Sequence, residues 1–147
     1  MKLLLGLIMI SLLTTGDGQC LASIGGGCPP SWSKWGNHCY KVTDAALPWS
    51  EAKQECIRLG SIMAVPQSEQ EIEHLNFSKQ VWIDCSNFGG TWVVGEGVSI
   101  DTQWRENQPS GDGNCTLMQF TDKKWNDAEC HYLFHAICKK TEAILHF

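Results

Sequence analysis

The stretch PWSEAKQECIRLG, from Pro48 to Gly60, predicts the first helix of the fold. Its apolar side chains recur every three or four residues: Trp49, Ala52, Cys56 and Leu59. This spacing places them on one face of an α-helix. Pro48 suits the first turn of a helix, and Gly60 suits its C-terminal stop. The helix is therefore expected to turn the Cys56 side chain inward.

Two further elements are predicted on either side of this helix. The stretch SWSKWGNHCYKV (31–42) is rich in aromatic residues and contains a Gly-Asn turn signal, which favours a short hairpin. The stretch SEQEIEHL (68–75) favours a second helix. Ser68 and Glu71 have the spacing of a capping box, and Ile72 and Leu75 are its expected apolar side.

The character of the chain changes after Gln80. Short β-prone runs follow, separated by Gly, Asn, Asp and Pro: VWIDC, TWVV, CTLMQF and HAICKK. Helices followed by strands are typical of the α+β class. A long irregular stretch runs from about Ser86 to Asn114, and such stretches are usually functional.

The start of the chain has the pattern of a secretory signal peptide. Lys2 precedes an apolar run from Leu3 to Leu13, which is too short to span a bilayer. We therefore expect a signal peptide over 1–18, an N-terminal tail over 19–27, a domain over 28–140 and a C-terminal tail over 141–147. The predicted product is secreted and has no membrane span. Its formal charge of −5 disfavours a nucleic-acid partner.

The eight cysteines of an exported chain this small indicate a disulfide framework. Structural zinc is the less favoured alternative, because no C-x-x-C pair occurs and the five histidines are scattered. Eight cysteines allow 105 complete pairings, so the count alone does not assign them.

The order of the motifs CY, WSEAKQEC, IMAV, WI, TW, QP, WNDAEC and AIC resembles the C-type lectin domain. The resemblance extends from Cys28 to Cys138 and implies a C-type lectin-like fold, with two helices, small antiparallel sheets and a long loop region. It also implies three disulfides: Cys28–Cys39, Cys56–Cys138 and Cys115–Cys130. Each would stabilise the domain by roughly 2–4 kcal/mol.

Two cysteines are left over by this pairing, Cys20 and Cys85. Some invertebrate members of the family pair a cysteine like Cys85 with one on the following strand, but the stretch WVVGEG (92–97) has none. Cys20 is expected to form an interchain bond in a disulfide-linked homodimer, or else to reach Cys85.

The resemblance implies a Ca²⁺ site between a loop motif around Pro109 and the WND motif at 125–127. In sugar-binding members the proline is usually cis, and sugar hydroxyls complete the calcium shell. The residues that carry over as candidate ligands of both Ca²⁺ and carbohydrate are Gln108, Ser110, Asp112, Asn126 and Asp127. Gln108 before proline matches the galactose-type version of the motif.

Three features of this loop depart from the family pattern. Ser110 places a neutral hydroxyl where an amide or a carboxylate is usual, the loop is short, and Gly113 stands where an acidic ligand is usual. Only Asp112 and Asp127 then supply carboxylates. Fewer charged ligands predict weak calcium binding, with a dissociation constant of about 10⁻⁴–10⁻³ M.

Two functions therefore remain open. The leading hypothesis is a calcium-dependent, carbohydrate-binding secreted lectin that acts in glycan recognition or agglutination. The alternative is a calcium-independent lectin-like domain that binds a protein or another surface. No catalytic motif occurs, so an enzyme is not expected.

Two N-glycosylation sequons make the chain a candidate glycoprotein, at Asn76 and Asn114. A glycan on Asn114 would stand beside the candidate sugar site. Trp104 is expected in the core, and His131 and His135 are expected to be surface or packing residues.

Overall fold

The computed structural model describes residues 27–75, 77–95 and 103–143. The predicted signal peptide, nearly all of the N-terminal tail including Cys20, the sequon residue Asn76, and the last residues 144–147 lie outside the described residues. Within the described ranges, no helix is long and apolar enough to cross a membrane.

The elements follow the order that the sequence predicts, with short strands before, between and after two helices. Their bounds are β1 Ser33–Trp35, β2 His38–Val42, α1 Trp49–Arg58, β3 Ile62–Met63, α2 Glu69–His74, β4 Val81–Ser86, β5 Val93–Val94, β6 Cys115–Met118, β7 Trp125–Ala128 and β8 His135–Thr141. Strand β7 contains the WND motif and was not among the predicted β-prone runs.

The strands of the described part form one sheet in the order β1-β2-β8-β4-β6-β7, with β3 added at β8 and β5 at β4. Every pair is antiparallel except β4 and β8, which run parallel, so the sheet is mixed. The last strand of the chain therefore lies in the middle of the sheet. The first and last strands of the domain therefore belong to the same sheet, and β6 and β7 lie at one side of it.

Helix α1 begins and ends close to the predicted residues. Pro48 is its N-cap residue, and Gly60 follows the last turn with φ of +74°, a conformation that glycine adopts without strain. Trp49, Ala52 and Cys56 are buried, as the spacing predicts. The buried face is fastened to the sheet because Cys56 is bonded to a cysteine of β8.

Helix α2 has a buried carboxylate where an apolar side was predicted. The Ser68 hydroxyl caps the helix by accepting a hydrogen bond from the Glu71 backbone N–H at 3.1 Å. The Glu71 carboxylate bonds the Gln67 backbone N–H at 3.1 Å, which differs from a standard capping box. Glu71 itself is buried, whereas Ile72 is only half-buried. Of the two residues predicted for the apolar side, Leu75 is buried in the core and Ile72 is not fully buried.

Glu71 can be buried because Lys139 neutralises its charge, and because Lys139 and Tyr40 both donate hydrogen bonds to its carboxylate. Its Oε1 atom accepts hydrogen bonds from the Tyr40 hydroxyl at 2.8 Å and from Lys139 Nζ at 3.0 Å. Tyr40 lies on β2 and Lys139 on β8, so this network joins α2 to the centre of the sheet. A buried charge is tolerated only when it is paired and hydrogen-bonded in this way.

Three disulfides are present among the described cysteines, and they are the three that the resemblance implies: Cys28–Cys39, Cys56–Cys138 and Cys115–Cys130. The first disulfide joins β2 of the N-terminal hairpin to the segment that precedes β1. The third joins the beginning of β6 to the residue that follows β7 by two positions. It therefore supports the sheet edge beside the candidate site.

Cys85 is the free cysteine of the described residues, and it is completely buried. Burial raises the pKa of its thiol to about 11, with a smaller opposing effect from Thr116 and a further increase from the charge of Asp84. A thiol with so high a pKa is a poor nucleophile at neutral pH. Cys20 lies outside the described residues, so its interchain bond and its bond to Cys85 both stay predictions.

Cys85 lies directly opposite Val94 in the antiparallel pair of β4 and β5. Directly opposed residues have Cα atoms about 4.5–5.5 Å apart, within the range that a disulfide spans. We expect Val94→Cys to form a fourth disulfide and to stabilise the domain by about 2–3 kcal/mol. Mass spectrometry after alkylation without reductant shows whether this disulfide has formed. Two alkylated thiols in the purified variant would show that the pair cannot close.

Three tryptophan rings pack edge-to-face in a row between the core and the candidate site. The Trp92 and Trp104 ring centroids are 4.9 Å apart, and those of Trp104 and Trp125 are 5.9 Å apart. Trp125 is completely buried and Trp104 is half-buried between the other two rings. The expected packing role of Trp104 is therefore confirmed.

Candidate functional site

The candidate site is formed where the 105–113 loop lies against strand β7. The Arg105 backbone N–H donates to the Trp125 carbonyl at 2.9 Å, and the Gln108 N–H donates to the Arg105 carbonyl at 2.9 Å. The Gln108–Pro109 peptide is cis. The loop therefore turns back over the WND motif, as the resemblance implies.

The Asp127 carboxylate is the centre of the loop's hydrogen bonding. Its Oδ1 atom accepts from the Ser110 backbone N–H at 2.8 Å and lies 2.9 Å from the Ser110 hydroxyl. Its Oδ2 atom accepts from the backbone N–H groups of Gly111 at 2.9 Å and Gly113 at 3.1 Å. One side chain of β7 thus binds three backbone N–H groups of the short loop.

These hydrogen bonds decide the charge state of Asp127. Burial disfavours the charged form, but the bonds from Ser110, Gly113 and Gly111 together outweigh it and lower the pKa of Asp127. The carboxylate is therefore ionised at neutral pH, and its charge is matched by N–H dipoles of the loop.

Ser110 links the two acidic side chains of the site. Its hydroxyl oxygen lies 2.6 Å from Asp112 Oδ2 as well as 2.9 Å from Asp127 Oδ1. A hydroxyl has one hydrogen, so it can donate to only one of these oxygens at a time. Asp112 is exposed, whereas Asp127 is buried. Asp112 therefore keeps lone pairs that face solvent.

Gly113 is required because the loop backbone touches β7 at this point. A Cβ atom at Gly113 would lie 2.0 Å from both the carbonyl carbon and the carbonyl oxygen of Ala128, and 2.4 Å from the backbone nitrogen of Glu129. No side chain fits there without a shift of the backbone. The acidic ligand that the family usually has at this position is excluded by the geometry of the loop as well as by the sequence.

We expect Gly113→Ala to destabilise the domain by about 2–3 kcal/mol, because the new methyl group must displace the loop from β7. Gly89→Ala is the matched control, since a Cβ atom there meets nothing within 4 Å. Chemical unfolding of the two variants compares them. Equal stability of the two variants would mean that the contact with β7 does not constrain the loop.

Two amide oxygens of the site are buried and have no hydrogen-bond partner, Gln108 Oε1 and Asn126 Oδ1. They come from the two motifs that the resemblance brings together. Of the five predicted site residues, the structure thus joins Ser110, Asp112 and Asp127 by direct contacts. Gln108 and Asn126 contribute acceptors that nothing in the described chain satisfies.

The residues do not fit a calcium ion in this arrangement. Calcium requires six to eight oxygen ligands with carboxylates among them. Both oxygens of Asp127 already accept hydrogen bonds, and the donors direct positive N–H ends at the carboxylate. The unpartnered oxygens of Gln108 and Asn126 are neutral and enclosed. Among the described residues, no group of three or more His, Cys, Asp or Glu side chains could hold a metal.

Sequence reasoning missed the backbone amides of the loop, which replace a cation as partners of Asp127. Two signals were available, the shortness of the loop and the glycines at 111 and 113. Glycine lets a backbone approach closely, and Gly111 adopts φ of +91°. The side-chain inventory alone does not reveal this, because the donors belong to the main chain.

The other candidate residues lie around this site or away from it. Asn114 is exposed, and its carbonyl accepts from the Asn87 N–H at 2.8 Å, next to the loop; its glycosylation stays a prediction. His131 is exposed and lies 3.4 Å from Glu129. His135 is half-buried and contacts Lys79, outside the loop.

Comparison with known proteins identifies the family. The Lectin C-type domain matches residues 45–140. The chain is 27% identical over 126 residues to the human C-type mannose receptor 2, with 77% of this chain covered, but it spans only 8% of that receptor. It is 26% identical over 147 residues to lactose-binding lectin l-2 of Anguilla japonica, with 89% of each chain covered.

A solved structure, that of a calcium-independent type II antifreeze protein, superposes with a TM-score of 0.71 at 26% identity, covering 81% of this chain and 98% of that one. The fold, the three disulfides and the family match agree. This chain belongs to the C-type lectin domain family.

Proposed function

We propose that this chain is an exported lectin that binds carbohydrate through the exposed Ser110 and Asp112 side chains of the 108–113 loop, without a bridging calcium ion. Family membership and the likeness to a lactose-binding lectin support a carbohydrate ligand. The signal-like start of the sequence supports export. The observation that carries calcium independence is the Asp127 carboxylate, whose oxygens are occupied by loop N–H groups.

The proposed mechanism uses direct hydrogen bonds in place of a cation. Sugar hydroxyls are donors as well as acceptors, and an exposed carboxylate is a strong acceptor for them. Asp112 offers such a carboxylate, and the Ser110 hydroxyl beside it can donate or accept. Because Asp127 holds the loop backbone, these groups keep their positions without a metal.

Retention on lactose-agarose and mannose-agarose tests this proposal. We expect wild-type protein to be retained equally with calcium and with chelator, and Asp112→Asn to elute at least about tenfold more readily. Glu51→Gln, an exposed carboxylate on α1, is the matched control and should behave as wild type. Retention that chelator abolishes would contradict the calcium-free mechanism. Failure to bind any sugar resin would contradict the carbohydrate ligand.

A second candidate function is calcium-independent binding of a protein or another surface. Two apolar side chains near the loop favour it, because Phe88 is 65% exposed and Val93 is 66% exposed. The backbone of Asn87, next to Phe88, is hydrogen-bonded to Asn114 at the end of the loop. Exposed apolar residues beside a rigid polar loop are common in protein interfaces. The sugar-resin experiment separates the two functions.

A further inference from the structure

We propose a second binding site, for an oxyanion such as a sulfate or carboxylate group of an acidic glycan, in a cavity between β2, β8 and the 77–79 segment. The cavity has a volume of about 470 Å³. Its walls include Thr43, Phe77, Ser78, Lys79 and His135. It shares no residue with the 108–113 loop or the WND motif.

His135 presents one ring nitrogen to this cavity in a defined state. Its Nδ1 atom lies 2.6 Å from the Thr43 carbonyl oxygen. A carbonyl only accepts hydrogen bonds, so Nδ1 carries the proton. In the neutral ring, Nε2 is therefore the acceptor, and it lies 3.3 Å from Lys79 Nζ. The ring is held in place by β8, where His135 pairs with Val81 of β4.

Lys79 meets a histidine where a surface lysine more often meets a carboxylate. No ion pair of Lys79 occurs among the described residues. Its contact with Nε2 exists only while the imidazole is neutral. Protonation of His135 turns Nε2 into a second donor beside the ammonium group, and two adjacent donors of positive charge favour an anion between them.

Two further lysines lie close to residues of the cavity wall. Lys123 Nζ lies 3.8 Å above the ring of Phe77, a wall residue, and Lys41 lies 3.3 Å from Asp44. Asp44 is the acidic residue of the lining, and its side chain is 91% exposed. With Lys79 and a protonated His135, the cavity wall carries two positive charges against this one carboxylate, in a chain of formal charge −5. Such a patch attracts anions.

The proposed binding is linked to a proton. The anion accepts one hydrogen bond from Lys79 Nζ and one from protonated Nε2, so binding takes up a proton at His135 when the imidazole is neutral. Histidine side chains ordinarily titrate between pH 5 and 8. Affinity for the anion should therefore rise as the pH falls through this range. The other ionisable residues of the cavity wall are Lys79 and Asp44.

Titration with inorganic sulfate at constant ionic strength tests the site, with the His135 ring followed by NMR. We expect the ring signals to shift with saturation, and affinity about tenfold higher at pH 5.5 than at pH 8. His135→Gln should abolish the pH dependence, and Lys79→Gln should weaken binding about tenfold. Lys34→Gln, an exposed lysine paired with Glu142, is the control and should bind as wild type.

A sulfated disaccharide and its unsulfated form, titrated in the same way, distinguish a glycan from a free ion. Tighter binding of the sulfated sugar than of sulfate identifies the glycan, and equal binding identifies the anion alone. Unchanged His135 signals, or identical affinities in wild type and both variants, would overturn the proposal. Sugar-resin retention of these variants should be unaffected, so failure here is separate from failure of the loop site.

Discussion

Replacing Asp127 by Asn is expected to lower the free energy of unfolding by about 2–4 kcal/mol. An Asn side chain keeps one acceptor oxygen but points an NH₂ group at N–H donors of the loop. Either Ser110 or the pair Gly111 and Gly113 then loses its acceptor. Hydrogen bonds to a charged group are worth more than neutral ones, so the loss of charge adds to the loss of geometry.

Urea unfolding of Asp127→Asn against Asp122→Asn measures this effect. Asp122 is also a carboxylate near the loop, but it pairs with Arg105 at 3.1 Å on the exposed surface. Such pairs contribute at most about 1 kcal/mol. Equal destabilisation by the two substitutions would show that the Asp127 hydrogen bonds do not hold the loop.

The same residue predicts a dependence of stability on pH. The pKa of Asp127 is lower in the folded state than the ordinary aspartate value of about 3.9. Its contribution is therefore complete above that ordinary value and is lost as the pH falls through the lowered pKa. The difference in stability between wild type and Asp127→Asn should be constant from pH 7 to about 5 and should shrink below about pH 4.

Glu71→Gln is expected to destabilise the domain by about 3–5 kcal/mol, because it removes the carboxylate beside the buried Lys139 ammonium group. The Tyr40 hydroxyl also loses its charged acceptor. The network joins α2 to β2 and β8, so α2 should detach first. Amide hydrogen exchange in α2 should rise more than in α1.

Thermal unfolding compares Glu71→Gln with Glu73→Gln, an exposed residue of the same helix that should cost less than about 0.5 kcal/mol. The double variant Glu71→Met, Lys139→Met removes both charges and should recover most of the loss, as replaced buried ion pairs often do. No recovery would mean that packing around Glu71, and not its charge, stabilises α2.

Local patterns in the sequence predict much of this fold. The apolar spacing of α1, the turn signal of the first hairpin and the Ser68 cap each act over a few residues, so periodicity and capping detect them. The order of the motifs, read as a family resemblance, then supplies the three disulfides. The parallel contact of β8 with β4 joins residues far apart in the chain, and no local signal encodes it.

The burial of Glu71 shows where local reasoning fails. Its position three residues after Ser68 predicts a capping role, and its charge predicts an exposed side chain. The side chain is buried because Tyr40 and Lys139 lie opposite it in the folded sheet. Tertiary partners decide such a position, and neither partner is close to it in sequence.

The sequence named five candidate residues, and the structure shows which of them lie together; their binding of calcium or carbohydrate stays a prediction. Gln108, Ser110, Asp112, Asn126 and Asp127 were all carried over from the motifs as calcium ligands. The structure instead uses Asp127 as an acceptor for the main chain of a short loop. A residue's role in a family motif depends on the length of the loop opposite it. In this short loop, the backbone at Gly113 lies directly against Ala128, so a side chain does not fit there.

Calcium titration of the full chain tests the account most directly, with tryptophan fluorescence and thermal unfolding as readouts. Trp125 precedes the two candidate ligands Asn126 and Asp127, Trp104 packs edge-to-face against it, and Trp92 packs against Trp104, so binding at the site would change the emission. We expect no fluorescence change and no shift of the unfolding temperature between chelator and millimolar calcium. A saturable fluorescence change with a higher unfolding temperature in calcium, both lost in Asp127→Asn, would contradict it.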